Sequence, residues 1–184
     1  MTRLPQFDPH DPELDPERRE LLADTQRQLG RTPNLYRAMA ASPAVLRGYL
    51  ALRETLQAGS LSALDRERLA LFVAQENRCG YCVAAHAMRG GRMGLDATEL
   101  ISVRQAHSAD PRAAAILRLA SGIMRTHGKV DDDLLIATRA NQVTDAEIAE
   151  VVAHIALNTL SNLFNHVAQP DLDFPPVAEE VQVP

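Results

Sequence analysis

Prolines are spread so unevenly that they divide this 184-residue chain. Pro5, Pro9, Pro12 and Pro16 fall in the first sixteen residues, and Pro170, Pro175, Pro176 and Pro184 in the last fifteen. Between Ala44 and Gln169 only Pro111 occurs. A proline inside a helix removes a backbone hydrogen bond and clashes with the preceding turn. The centre is therefore free to be helical and the ends are not. The pattern predicts an all-α domain over residues 16–169, with extended tails over 1–15 and 170–184. The length suits one domain that buries a core without a structural metal or disulfide clasp. With no Trp, three Tyr and four Phe, that core is aliphatic.

Local signals place the helices. Residues 16–29 form a charged, Leu-rich segment that stops at Gly30. Ser42-Pro43 supplies an N-cap and a proline at the first helical position, with Gly59 as the stop. Ser62 opens a helix to about Glu76, and another follows from about Gly80 to Arg89, where Gly90-Gly91 ends it. Asp96 with Glu99, Asp110-Pro111 and Asp131 open three more. Thr144 with Glu147 is a capping box for the longest helix, to about Ala168. Its apolar stripe (Ile148, Val151, Val152, Ile155, Thr159, Leu160, Leu163 and Val167) reads as the buried face. His154, Asn158, Asn162 and Asn165 form a second, polar stripe. It reads as a polar seam between packed helices, and otherwise as the wall of a pocket or a bond to a neighbouring subunit. No period-2 alternation long enough for a strand occurs.

Charge and composition exclude several classes. The formal net charge is −5, which argues against a nucleic-acid partner, since that needs a basic face. No run of about eighteen apolar residues is present to span a membrane, and Met1–Pro9 has no apolar core of a signal peptide. A cytoplasmic protein is expected. Residues 131–184 carry ten acidic residues against Arg139 alone, leaving the rest of the chain net basic. A solvated acidic face explains this most simply, and contact between opposite-sign halves of two subunits is the other explanation. The tail residues Leu4, Phe7, Phe174 and Val177 are expected either to lie on a neighbouring subunit or to be loose.

The chemistry concentrates between Glu67 and His86. Cys79 and Cys82 are three residues apart at the start of a helix, and His86 follows four residues later on the same face. A helix N-terminus offers orphan N–H groups and a positive dipole end, which favours thiolate over thiol. That argument alone points to Cys79 as the nucleophile. The two sulfurs can close a small disulfide ring and reopen it, and His86 can hydrogen-bond a thiol or thiolate. Glu67 lies one helix earlier on an apolar stripe with Leu64, Leu71 and Ala74, so its carboxylate must be paired, protonated or working. A carboxyl with its pKa raised by burial would serve as proton acceptor; pairing with an arginine is the structural alternative. For the cysteines three readings stand open: a redox dithiol, metal ligands together with His86, or buried core residues. A structural zinc site needs four protein ligands, and no second tight Cys/His pair exists.

The pattern Glu67-x11-Cys79-x-Tyr81-Cys82-x3-His86 resembles the signature of the alkylhydroperoxidase AhpD core, in the carboxymuconolactone decarboxylase family. Leu61-Ser-Ala-Leu-Asp-Arg-Glu67 resembles that family's entry to its acidic residue. The segment from Asp145 through Asn158 and Asn162 to His166 resembles its long closing helix, so that the likeness covers roughly residues 35–168. The long N-terminal segment and Asp173-Phe174-Pro175 resemble the peroxidase-related branch. The resemblance implies an AhpD-like helical bundle assembled as homotrimer or homohexamer. It also implies a thiol peroxidase that needs no haem, flavin or metal. Cys82 then matches the cysteine that attacks a small-molecule hydroperoxide, Cys79 the resolving cysteine, and Glu67 and His86 the proton relay. An external dithiol, lipoyl or thioredoxin-like, restores the thiols. The chain departs from the pattern at Tyr81, where peroxidases of the family have a second histidine. A phenol of pKa about 10 donates a hydrogen bond but is no base at neutral pH, so Tyr81 is expected to orient the relay. Two alternatives remain: lactone or carbonyl-acid chemistry with Glu67 as base, and a non-enzymatic redox-sensing module. Arg89 and Arg92 stand close to the motif in sequence.

Overall fold

The computed structural model describes residues 2–177; residues 178–184 of the expected C-terminal tail lie outside that range. Among the described residues nine helices follow in chain order and no strand occurs. They are α1 (Pro16–Leu29), α2 (Asn34–Met39), α3 (Pro43–Gln57), α4 (Ala63–Glu76), α5 (Gly80–Arg92), α6 (Ala97–Arg104), α7 (Pro111–Thr126), α8 (Asp132–Ala140) and α9 (Asp145–Ala168). The all-α reading holds. No helix of the described residues is long and apolar enough to cross a membrane.

Short polar side chains set the starts. Asp15, Ser42, Ser62, Asp96, Asp110, Asp131 and Thr144 each accept a hydrogen bond from a backbone N–H of the first turn. Thr144 and Glu147 complete the capping box reciprocally. The sequence gives no cap signal for α2, which follows Pro33 without a side-chain cap and spans six residues.

Two aliphatic clusters form the core. One joins α4, α5, α7 and α9 around Leu69, Phe72, Val83, Leu119 and Val151; the other joins α1, α2 and α3 around Leu22, Met39, Leu46 and Leu50, and reaches α9 at Leu157. Tyr81 packs against both. Helix α4 lies centrally, in contact with α5, α6, α7 and α9.

Three expectations need correction. Helix α5 runs through Gly90-Gly91 to Arg92. Glycine costs a helix about 1 kcal/mol relative to alanine, but Gly90 serves a close approach. A Cβ there would sit 3.0 Å from Leu100 and 3.1 Å from Leu95. The helix stops at Met93, and Gly94 follows with φ +101°.

The second correction concerns α9. Of its apolar stripe Val151 is buried, whereas Val152, Leu160, Leu163 and Val167 are 43–60% exposed. The buried face carries His154, Leu157, Asn158, Ser161, Asn162 and Asn165 instead. The polar side chains turn inward because this face borders the cysteines and a cavity.

Third, the described tail residues are not loose but fold onto their own helices. The N–H groups of Arg3 and Leu4 donate to the carbonyl of Ala168, and Phe7 exchanges bonds with Arg37. Asn34 reaches the carbonyl of Asp171, and Phe174 packs edge-on against Tyr81.

Candidate active site

The cysteines sit where α4 hands over to α5. Asn77 caps α4, Arg78 takes the left-handed conformation (φ 53°), and Cys79 becomes the N-cap of α5. Cys79 and Cys82 are joined by a disulfide. The Cys79 sulfur accepts a hydrogen bond from the Cys82 N–H at 3.3 Å, so the ring is seated on the first turn of the helix. Both residues are buried.

The two cysteines line different spaces. Cys82 borders a cavity of about 340 Å³ together with Glu67, His86, Arg89, His154, Asn158 and Asn165. Cys79 borders a second hollow with Arg78, His166 and Gln169 of α5's approach and α9's end. Tyr81 stands between, lining both.

Glu67 and His86 are brought together across α4 and α5. His86 Nδ1 lies 2.7 Å from Glu67 Oε1. An ionised carboxylate only accepts, so this contact places the proton on Nδ1 and leaves Nε2 with its lone pair. Arg89 Nε donates to the same Oε1 at 3.1 Å. Its Nη2 rests 2.6 Å from Nδ1 and 3.3 Å from Nε2 of His86. A donor aligned with one lone pair could not be this near both nitrogens, so the guanidinium lies against the ring.

The electrostatics correct the expectation for Glu67. Burial pushes its carboxyl up, but His86 and Arg89 outweigh that and hold it below the ordinary carboxylate range. Glu67 is therefore an ionised, paired carboxylate, not one raised by burial. His86 is pushed below the ordinary imidazole range, first by burial and then by Arg89, against the pull of Glu67. The imidazole is neutral at pH 7 and is oriented by its carboxylate.

Tyr81 does not face this pair. Its hydroxyl donates to Asp173 Oδ1 at 2.5 Å and accepts from the Leu35 N–H at 3.3 Å. Burial, then Asp173, pushes the phenol above its usual range. Asp173 also pairs with Arg31 and accepts from the Asn34 N–H, so Tyr81 ties the C-terminal segment to α2. Tyr81→Phe is expected to lower stability by about 1 kcal/mol and to leave turnover within a few-fold. Urea unfolding and steady-state rates check this; a loss of turnover comparable to that of a relay residue would instead put the hydroxyl in the reaction.

One contact to the cysteine pair escaped the motif. Asn165 Nδ2 on α9 donates to the Cys82 sulfur at 3.0 Å, while its Oδ1 is buried without a partner. The four-residue and three-residue spacing of the polar stripe was its sequence signal. Of that stripe His154, Asn158 and Asn165 line the cavity, whereas Asn162 accepts from Asn77 at 2.9 Å. Among the described residues no cluster of three or more His, Cys, Asp or Glu is arranged to hold a metal.

Residues 43–122 match the model of the carboxymuconolactone decarboxylase family, a stretch that contains Glu67, both cysteines and His86. Among curated proteins none matches the sequence. Among solved structures the chain is similar to an uncharacterized peroxidase-related protein with the alkylhydroperoxidase AhpD core from Ralstonia eutropha JMP134. That match has TM-score 0.79 and 23% identity, and covers 92% of either chain. A second peroxidase-related protein, from Silicibacter sp. TM1040, has TM-score 0.74 and 23% identity over 97% of this chain and 96% of that one. A cysteine-to-alanine variant of the debrominase Bmp8, in complex with 2,3,4-tribromopyrrole, has TM-score 0.75 and 14% identity over 94% of each chain. The fold is that of the AhpD core, and the family resemblance of the motif stands.

Proposed function

We propose that the protein is a thiol-dependent peroxidase that reduces organic hydroperoxides through the Cys79–Cys82 pair. The observation that carries this reading is the placement of Cys82. Cys82 lines a cavity that also contains a carboxylate-oriented neutral imidazole, and its sulfur accepts from the amide of Asn165. In the reduced form the Cys82 thiol gives its proton to Nε2 of His86. The thiolate attacks the outer oxygen of the hydroperoxide; the S–O bond forms, the O–O bond breaks, and His86 returns the proton to the departing alkoxide. Asn165 steadies the sulfur through Nδ2 and offers its unpartnered Oδ1 to the hydroperoxide O–H. Cys79 then displaces hydroxide from the sulfenic acid, giving the disulfide and water. An external dithiol, lipoyl or thioredoxin-like, reduces the disulfide by exchange and is itself oxidised.

The likeness to the peroxidase-related AhpD-core proteins supports this assignment. The exposed Val152, Leu160, Leu163 and Val167 on one side of α9 support homotrimeric or homohexameric assembly, which a light-scattering mass at three or six times 20.2 kDa checks. The function itself is tested by titrating thiols in denaturant, before and after one equivalent of hydroperoxide. The reduced protein is expected to lose both thiols together within seconds. Persistence of both thiols overturns the reading.

A further inference from the structure

The cavity beside Cys82 has a charge pattern that hydroperoxide reduction does not require. Among the described residues five arginines line it (Arg31, Arg53, Arg66, Arg89 and Arg92), against Glu67 as the one acidic side chain. Two of the five are neutralised: Arg89 by Glu67 and Arg31 by Asp173. The other three have no carboxylate within ion-pair distance among the described residues. Arg53 donates to the Gln28 side chain at 3.1 Å, Arg66 to the carbonyl of Leu61, and the Arg92 guanidinium makes no hydrogen bond to a described residue. A chain of net charge −5 thus presents a concave, net-positive surface, which concentrates anions.

A second observation lies on the same wall. His154 is 5% exposed, and its Nε2 is buried without a hydrogen-bond partner. Burial first, then the charge of Arg66, pushes it down to about 4, so at neutral pH it is an uncharged ring near a guanidinium. A buried ring nitrogen left unpaired at a cavity wall costs free energy until a ligand satisfies it. The lining also carries apolar side chains, among them Leu29, Met88 and Leu157, beside the polar Gln57, Asn158 and Ser161.

We propose that this cavity selects an organic anion: a carboxylic acid with an apolar body, its acid group held by Arg66 with His154 beside it, and its reacting group at Cys82. Arg53 and Arg92 add to the attracting field. Only the identity of the reacting group, a hydroperoxide, rests on the peroxidase reading; the anion preference rests on the arginines.

The test separates the two. Binding of 4-phenylbutyrate and of its neutral amide to the disulfide form is measured by calorimetry. Turnover of a fatty acid hydroperoxide and of its methyl ester is measured on the reduced form. The acid is expected to bind about ten- to a hundredfold tighter than the amide, as for one charge-assisted contact. Arg66→Gln is expected to remove most of that preference and Arg66→Lys to keep much of it, with thermal unfolding confirming that both variants fold. KM for the acid hydroperoxide should rise in Arg66→Gln while KM for the ester stays put. Equal binding of acid and amide to the wild type overturns the proposal, and so does an undiminished preference in folded Arg66→Gln. If the acid is preferred but neither hydroperoxide turns over, the anion site stands and the peroxidase reading falls.

Discussion

Cys82→Ser is expected to lower hydroperoxide turnover by about a thousandfold or more, because it removes the thiolate that the proposed attack on the peroxide requires. The serine hydroxyl is close in shape and can still accept from Asn165, so folding should survive and the loss should fall on chemistry. Cys79→Ser should behave differently. Cys79 lies on the far side of the disulfide, in a separate hollow, so its removal leaves the first step intact. That variant should consume one equivalent of hydroperoxide and stop, with Cys82 held as a sulfenic acid that a dimedone probe labels. Quenched-flow consumption assays with mass spectrometry distinguish the two variants. The reverse assignment, in which Cys79 attacks as the helix dipole alone suggests, requires the single turnover to appear in Cys82→Ser. Full turnover in Cys82→Ser would remove the dithiol from the reaction and leave carbonyl-acid chemistry at Glu67 to be tested.

How far the fold was legible depended on which kind of signal each element carried. Helix starts depend on a short polar side chain meeting an orphan N–H, and such residues are visible in sequence; six caps, from Ser42 to Thr144, fall where they were expected, and Asp15 adds a seventh. Helix α2 has no such cap and too few residues for a period. The stop at Gly90-Gly91 failed because Gly90 serves packing against Leu95 and Leu100, a contact outside the helix itself. The failure on α9 is more instructive. Hydrophobic periodicity assigns the apolar face to the core, yet here the inner face borders the cysteine pair and a cavity and is polar, while much of the apolar side is exposed. Asparagine and histidine on the inward face of a closing helix therefore pointed to the site.

Within the site, the spacing of Cys79, Cys82 and His86 was enough to place all three on the first turns of one helix. The direction of the Glu67 pKa was not, because it depends on where Arg89 points. One turn beyond His86, a guanidinium that reaches back across the ring changes a buried carboxyl from a proton acceptor into a fixed negative charge. Tyr81 likewise lies between the cysteines in sequence but turns its hydroxyl to Asp173, ninety-two residues away, a contact that no local pattern encodes.

That fixed charge makes Glu67→Gln the second large effect. Glu67 orients His86 through Nδ1 and balances Arg89. A glutamine oxygen still accepts one hydrogen bond, but the negative charge is gone and Arg89 is left uncompensated against the ring. Turnover is expected to fall by about a hundred- to a thousandfold, within the usual contribution of a positioned general base. The pH profile carries the sign. In the wild type His86 lies below its ordinary 6.5, so the basic form predominates at neutral pH and activity declines as pH falls through that depressed value. Glu67 is the group that pulls His86 upward; without it the acid limb should move further toward low pH even as the rate drops. Stability follows the same direction. Glu67 and His86 are both depressed on folding, so the unfolded chain binds more protons. Their contribution is complete above the unfolded values of 4.5 and 6.5 and is lost as pH falls through the folded ones. A merely structural role for Glu67 would lower the rate and leave the acid limb in place, so an unmoved limb in a folded Glu67→Gln would overturn the relay.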